Sequence, residues 1–162
     1  MEQVRSKPEE VSISIRPAVV SDIPVLLEFE QGVINAERPF DPTLGQGEIR
    51  YYDIEELIRS PDALLLVAEA EGTVVATGYA RIRDAKPYLQ HRHDAYLGFM
   101  YVRPEWRGRG INGKIVQGLK DWAAARGVTE LRLEVYCDNA SAIAAYEKVG
   151  FQKHMIEMRM GL

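Results

Sequence analysis

Between residues 102 and 114 the chain reads Val102-Arg103-Pro104-Glu105-Trp106-Arg107-Gly108-Arg109-Gly110-Ile111-Asn112-Gly113-Lys114, with an apolar, aromatic run before it and a helical pattern after it. Three glycines at the passage from strand to helix allow close backbone approaches that side chains would block. The helix opening near Gly110 presents its first N–H groups outward with a partial positive charge. Arg103, Arg107, Arg109 and Lys114 stand against the single acid Glu105, in a chain whose formal charge is −4. A phosphate or pyrophosphate suits such a turn. The plain alternative is a solvated basic turn whose glycines only permit a tight reversal.

The remainder reads as one domain spanning residues 1–162. Its 46% apolar and 27% charged residues are the proportions of one ordinary soluble domain, long enough to bury a core without disulfides or metals. The longest apolar run, Ala63 to Ala68, is far short of the roughly 20 residues of a spanning helix, which excludes a membrane span. Residues 1–10 alternate charge and lack the apolar segment of a secretory signal, so they are expected to fray and the cytoplasm is the expected compartment. The single cysteine, Cys137, has no disulfide or CxxC partner. Mild acidity argues against a nucleic-acid partner, which favours a basic stripe.

Hydrophobic period places the elements. Val11, Ile13 and Ile15 alternate with polar residues up to Pro17, as in a half-buried strand. Ser21 is placed to cap a helix that admits Pro24 in its first turn, puts Val25, Phe29 and Val33 on one face and ends before Pro39. Glu37 to Arg50 is a long loop, the expected substrate lid. Asp53 opens a short helix to Arg59. Leu64–Ala70 and Thr73–Arg83 form a hairpin through Glu71-Gly72, and Asp84–Asp94 is a polar connection to a strand over Ala95–Val102. Ile111, Ile115, Leu119 and Trp122 share a helix face that ends at Gly127; Leu131–Tyr136 alternates as a strand; Asn139 caps an alanine-rich helix ending at Gly150; and Phe151–Met160 reads as a last strand. The expected architecture is α/β, a mixed sheet of about six to seven strands covered by helices on both faces.

Two known patterns compete for the glycine turn. Gly108-x-Gly110-x-x-Gly113, with Glu134 about 20 residues on, satisfies the dinucleotide fingerprint of a nicotinamide-dependent oxidoreductase. That fingerprint belongs in the first βαβ unit of a parallel sheet, whereas here hairpin-like strands precede it. Val102-x-Pro104-x-x-Arg107-Gly108-Arg109-Gly110-Ile111 resembles the acyl-CoA motif of the GNAT superfamily of N-acetyltransferases, Arg/Gln-x-x-Gly-x-Gly/Ala, with Asn112 in the last position and Gly113 beside it. Asn139-x-x-Ala142-x-x-x-Tyr146-x-x-x-Gly150-Phe151 resembles the next helix of that family and its return to the sheet, and Ile15-Arg16-Pro17-Ala18 resembles its opening strand.

The resemblance implies a GNAT-like fold and an acetyl-CoA-dependent N-acetyltransferase, with acetyl-CoA as cosubstrate and a primary amine of a small molecule, peptide or protein as acceptor. It implies two parallel strands, Ala95–Val102 and Leu131–Tyr136, that splay apart. Pantetheine would lie between them on backbone groups of Met100, Tyr101 and Val102, and the pyrophosphate would lie on Arg107, Gly108, Arg109, Gly110, Ile111, Asn112 and Gly113. It assigns Tyr146 as the acid for a departing thiolate and Asn139 as a pantetheine partner. The residues themselves support Asn139 as an N-cap and Tyr146 as an aromatic packed on its helix; seven positions apart, the two can share one side of that helix.

The attacking amine must be neutral, so a base is needed. Glu134, on a strand face with Arg132 and Tyr136, is the candidate, and Asp94 at the head of the preceding strand is a second. Cys137 as an acyl carrier is disfavoured against a small buried hydrophobe, and His91-x-His93-Asp94 lacks further metal ligands and reads as part of a solvated connection. The expected reaction is direct attack in a ternary complex without metal. A non-catalytic acyl-CoA sensor is the alternative reading, and monomer and homodimer both remain open.

Overall fold

The computed structural model describes residues 11–162, so the expected fraying of residues 1–10 lies outside the described residues. The elements are β1 (Ile13–Pro17), a one-turn 3-10 helix (Val20–Asp22), α1 (Ile23–Glu37), α2 (Ile54–Arg59), β2 (Ala63–Ala70), β3 (Thr73–Asp84), β4 (His93–Val102), a second 3-10 turn (Pro104–Trp106), α3 (Ile111–Ala125), β5 (Leu131–Arg132) and α4 (Ala140–Lys148). Among the described residues they build a five-stranded sheet in the order β1-β2-β3-β4-β5 rather than one of six or seven strands. The first four strands are antiparallel neighbours, and β4 and β5 are parallel. Two expected strands fall short. Only Leu131–Arg132 of the 131–136 run is paired, and residues 151–160 join no strand pairing among the described residues. Alternation makes a segment fit for a sheet, but a ladder also needs a neighbour within reach.

Helices cover both faces, which explains the unbroken apolar run in β2. Leu66 and Ala68 pack on the α3 side with Ile111, Ile115 and Leu119, while Leu65 and Val67 pack on the other side with Leu26, Phe29, Ile54 and Leu57. In β4 the faces do not simply alternate. Thr77 stands opposite Tyr101 and Tyr79 opposite Gly98, so Phe99 and Met100 together oppose Gly78 in a β-bulge. Phe99 takes φ +55°, an unusual conformation for a bulky residue. It is 1% exposed and stacked on Tyr52 at 4.5 Å between ring centroids. The bulge resets the alternation, so Leu97, Met100 and Val102 all face α3 while Phe99 and Tyr101 face α1. Gly32 in α1 leaves room for Tyr101, since a Cβ there would lie 2.5 Å from its ring.

The first helix differs in detail from its pattern. Its buried stripe is Leu26, Phe29, Glu30, Val33 and Ile34, with Val25 only partly covered. Asp22, not Ser21, precedes it, and the Asp22 carboxylate accepts from Val19 N (2.8 Å) and from both terminal nitrogens of Arg16 (2.7 and 2.9 Å). Arg16 also reaches Glu69 on β2 at 2.7 Å. Glu30, wholly buried, accepts from the backbone N–H groups of Tyr51 and Tyr52 at 2.8 Å each, with Arg50 3.4 Å away. This one carboxylate pins the segment entering α2 against α1.

Replacing Glu30 with Ala leaves two buried N–H groups without acceptors and lowers stability by about 3 kcal/mol in urea unfolding. The hydrogen bonds from Arg16 hold the Asp22 carboxyl below its ordinary range. A depressed carboxylate contributes stability above the unfolded-state value near 4, and that contribution is lost as pH falls through the folded-state value. The wild-type Tm therefore falls below about pH 4, while Asp22→Asn is less stable at neutral pH and flatter in that acid range.

Candidate active site

The site forms at the C-terminal ends of β4 and β5, where a ligand sits against parallel strands joined by a helix. β4 runs ten residues but pairs with β5 at only two positions, Ala95 with Leu131 and Tyr96 with Arg132. Beyond them the strands separate. The β5-facing edge of β4 from Leu97 to Val102 thus keeps its hydrogen-bonding groups free of strand pairing. Met100, Tyr101 and Val102 lie on that edge, with Val102 as the last strand residue before the glycine turn.

The turn is open where a ligand would need it. Gly108 and Gly110 have φ near +75°, and nothing lies within 4 Å of where a Cβ would stand on either. Gly110 is the N-cap of α3 without a side-chain cap, so the N–H groups of Ile111, Asn112 and Gly113 have no internal acceptor. Gly113 is inside the helix, close to Val149 of the segment after α4. Arg107 donates from Nε to Val102 O (3.1 Å), tying the turn to the strand end. The Arg109 guanidinium lies over the Trp106 ring at 4.6 Å, and Lys114 is exposed. Arg103 does not join them. It pairs with Glu28 at 2.9 Å, donates to Val74 O and lies over Phe29, on the far side of the strand end. The free N–H groups, the open glycines and the surrounding cations fit a diphosphate.

On the α1 side of the same opening stands a group of phenols and carboxylates. Burial and then the nearby Glu37 carboxylate push Tyr146 and Tyr136 up to about 12. Burial followed by the Glu134 charge does the same for Tyr96, on which Glu37 also acts. Tyr51 and Tyr52 are raised further, again by burial first, with Glu37 contributing to both. Glu37 ends α1, and its own carboxyl is raised, chiefly by burial. The Tyr51 hydroxyl is buried without a partner at ordinary hydrogen-bond geometry, although it lies toward Glu37. Tyr136 donates to Asp41 (3.2 Å) and stacks on Phe40 at 6.1 Å. A cavity of about 170 Å³ opens beside this group among Tyr51, Tyr52, Glu56, Tyr79 and Arg81.

The expected residues therefore divide. The glycine turn follows directly from the end of β4, Tyr146 is acted on by the same Glu37 carboxylate as Tyr96 and Tyr136, and Glu134, exposed with no cationic partner among the described residues, acts on Tyr96 and Tyr79. Asn139 is the N-cap of α4, its Oδ1 accepting from Ala142 N at 3.2 Å. Tyr146 meets Phe151 edge-on. Asp94 is not part of the site. It is buried, bonded to Arg83 at 2.6 Å, and eight residues of strand, roughly 25 Å, separate it from Val102. Cys137 is exposed rather than buried. His91 and His93 pair with Glu130 and Asp84, and the described residues hold no metal-ligating group of three. Glu37 escaped sequence reasoning, where it marked only the start of the lid; an acid closing an apolar helix just before a long loop was the available signal.

Residues 31–151 match the Acetyltransferase (GNAT) family. The chain belongs to the GNAT family and is an acetyl-CoA-dependent N-acetyltransferase. The fold is shared with a tetramutant of the BH1408 protein of Bacillus halodurans (TM-score 0.83, 20% identity, covering 92% of this chain and 99% of that one). It is shared also with a predicted acetyltransferase with acetyl-CoA from Clostridium acetobutylicum (TM-score 0.69, 22% identity, 93% and 96%). A third similar structure is the aminoglycoside 6'-N-acetyltransferase of Acinetobacter haemolyticus (TM-score 0.71, 19% identity, 92% and 97%). The dinucleotide fingerprint has lost its setting, because β4-α3-β5 is the only parallel unit among the described residues and follows three antiparallel pairings.

The turn geometry separates its arginines. In calorimetric titrations with CoA, Arg107→Ala weakens binding at least fivefold and Arg103→Ala changes it less than twofold. Gly110→Ala places a side chain at φ +74°, costing about 1 kcal/mol of stability, and weakens CoA binding at least tenfold.

Proposed function

We propose that this N-acetyltransferase, working in the cytoplasm, acetylates a primary amine that arrives as a cation, by direct attack within a ternary complex. The observation that carries this reading is the juxtaposition at one opening of a diphosphate-suited turn and an acidic, tyrosine-lined recess. An ammonium is attracted both to unpaired carboxylates and to the faces of aromatic rings. Glu37 and Glu134 have no cationic partners among the described residues, and Asp41 already holds Arg159 at 3.0 Å.

When bound, acetyl-CoA supplies an acyl thioester and a thiol leaving group. The α3 N–H groups at Ile111, Asn112 and Gly113, with Arg107 and Arg109, would hold its pyrophosphate, and Gly108 and Gly110 leave the space for it. Backbone groups of Met100, Tyr101 and Val102 would pair with pantetheine, as would the side-chain NH2 of Asn139, whose oxygen is committed to the cap. An N–H on that edge, preorganised by the bulge, would polarise the thioester carbonyl.

Glu134 would take the ammonium proton through water, and Glu37 would anchor the cation. Tyr146, held near 12, stays a neutral phenol throughout the physiological range. A phenol that far above an ordinary thiol near 8.5 serves the leaving sulfur chiefly as a hydrogen-bond donor. Complete proton transfer requires the same dry surroundings to raise the thiol as well.

A panel of amines, amino acids, aminoglycosides, polyamines and peptides, followed through release of free thiol, tests the reading. Cationic amines are turned over, and neutral or acidic acceptors of similar size are poor. Tyr146→Phe lowers kcat about 100-fold while CoA affinity changes less than threefold. Glu37→Gln raises the KM of the amine and leaves CoA binding unchanged. Unaltered turnover in Tyr146→Phe would remove its role, whereas CoA binding with no turnover of any acceptor would favour an acyl-CoA sensor.

A further inference from the structure

The hairpin that joins β3 to β4 lies at the opposite end of β4 from the glycine turn, and no step of the acetyl transfer uses it. Its backbone curls between two internal bonds, Ala85 N to Arg92 O and Leu89 N to Lys86 O, each 2.9 Å. A cavity of about 440 Å³ opens against this curl, with Asp84, Lys86, Leu89, His91, Arg92 and His93 in its lining. The stretch is cationic in a chain of formal charge −4. Lys86 and Arg92 are exposed and form no ion pair among the described residues, while Asp84, the carboxylate of the lining, already faces His93 Nδ1 at 3.2 Å. The N–H groups of Gln90, His91 and Arg92 have no backbone acceptor among the described residues.

His91 supplies an independent observation. Its Nδ1 lies 3.4 Å from one oxygen of Glu130. Glu130 is itself fixed, its other oxygen accepting from Arg132 Nε at 2.7 Å and its carbonyl from Ala95 N at 3.0 Å. An imidazole nitrogen facing a carboxylate carries its proton. That leaves Nε2, which is buried and has no hydrogen-bond partner among the described residues. Buried polar atoms ordinarily have partners, so an orphan beside a cavity marks a place where one is missing.

We propose that this hairpin is a binding site for a phosphate group, with Lys86 and Arg92 supplying the charge and His91 Nε2 the hydrogen-bond partner. Two unpaired cations on the lining favour an anion and oppose a divalent metal ion, to which two imidazoles alone would otherwise be suited. Among anions, the orphan nitrogen selects phosphate. With a second ionisation at about 6, a phosphate offers Nε2 either a hydroxyl or an anionic oxygen, and so satisfies it whether the imidazole is neutral or charged. Sulfate, fully ionised, satisfies the imidazolium alone. The other charged groups around the imidazole are Glu130 ahead of β5, which holds the proton on Nδ1, and Asp84, Lys86, Arg92 and His93 of the hairpin. Because Nε2 is closed to water, the ligand reaches it through a shift of the hairpin, whose residues 86–88 are all exposed. The inference is independent of the acceptor chemistry.

A site-resolved NMR titration of the full chain tests it. Inorganic phosphate shifts the amides of Gln90, His91 and Arg92 and the His91 ring nitrogens saturably, and sulfate binds there at least fivefold more weakly. Since phosphate also suits the glycine turn, the titration is repeated in Arg107→Ala, where the hairpin shifts persist. Lys86→Ala with Arg92→Ala, both exposed, weakens binding at the hairpin at least tenfold. His91→Phe, which keeps a ring in place, abolishes the preference over sulfate, and both variants keep the CoA affinity of the wild type. Glycerol phosphate separates the sources: binding tighter than inorganic phosphate marks a phosphorylated small molecule as the ligand, and weaker binding marks the free ion. Absence of a saturable shift at the hairpin overturns the proposal. Equal affinity for sulfate in the wild type, or undiminished affinity in the double variant, overturns it as well.

Discussion

The separation of β4 from β5 is the constraint on which the remaining features depend. Two paired residues at the start of these strands hold them parallel, and a bulge at Phe99 and Met100 then turns the end of β4. Without the bulge the two strands could pair further along, and the edge carrying Met100, Tyr101 and Val102 would be used up. The positive φ at Phe99 is a local strain of order 1–3 kcal/mol, offset by burial of its ring against Tyr52 and the α1 side of the core. Glu30 supports that arrangement from beneath, because it fixes the backbone of Tyr51 and Tyr52.

From this separation the site divides into two chemically distinct halves. One is dominated by backbone N–H groups and guanidinium cations at the start of α3, the other by carboxylates and phenols at the end of α1 and around β4. The gap between the strands joins them. An anionic cosubstrate and a cationic acceptor would thus enter from surroundings of opposite charge, and each half repels the other's ligand. The Tyr146 hydroxyl belongs to the aromatic recess electrostatically, through burial and Glu37, while its helix begins at the Asn139 cap.

Local chemistry was legible in the sequence, and pairing over distance was not. The Glu71-Gly72 hairpin, the Asp53 and Asn139 caps and the glycine turn each follow from residues within a few positions of one another, and each stands in the structure where its pattern places it. Arg103 shows the limit: it adds a positive charge to the turn on paper, yet Glu28, 75 residues away, takes it to the other side of the strand. Asp94 sits on the right strand at the wrong end. Glu30 looks like a solvent-facing acid in a helix and is buried, because its acceptors are needed by backbone from the following loop. The bulge is signalled only by Gly98 and Gly78, glycines inside strand patterns that strict alternation passes over, and it reverses the faces that alternation assigns. The run 151–160 has the pattern of a strand, but nothing among the described residues pairs with it.

An amide-resolved NMR titration with acetyl-CoA tests the central claim most directly. The account predicts that the largest changes fall on Tyr101 and Val102 and on Ile111, Asn112 and Gly113, reaching saturation together. Saturable binding that leaves these amides unmoved, with its changes elsewhere in the sheet, would contradict it.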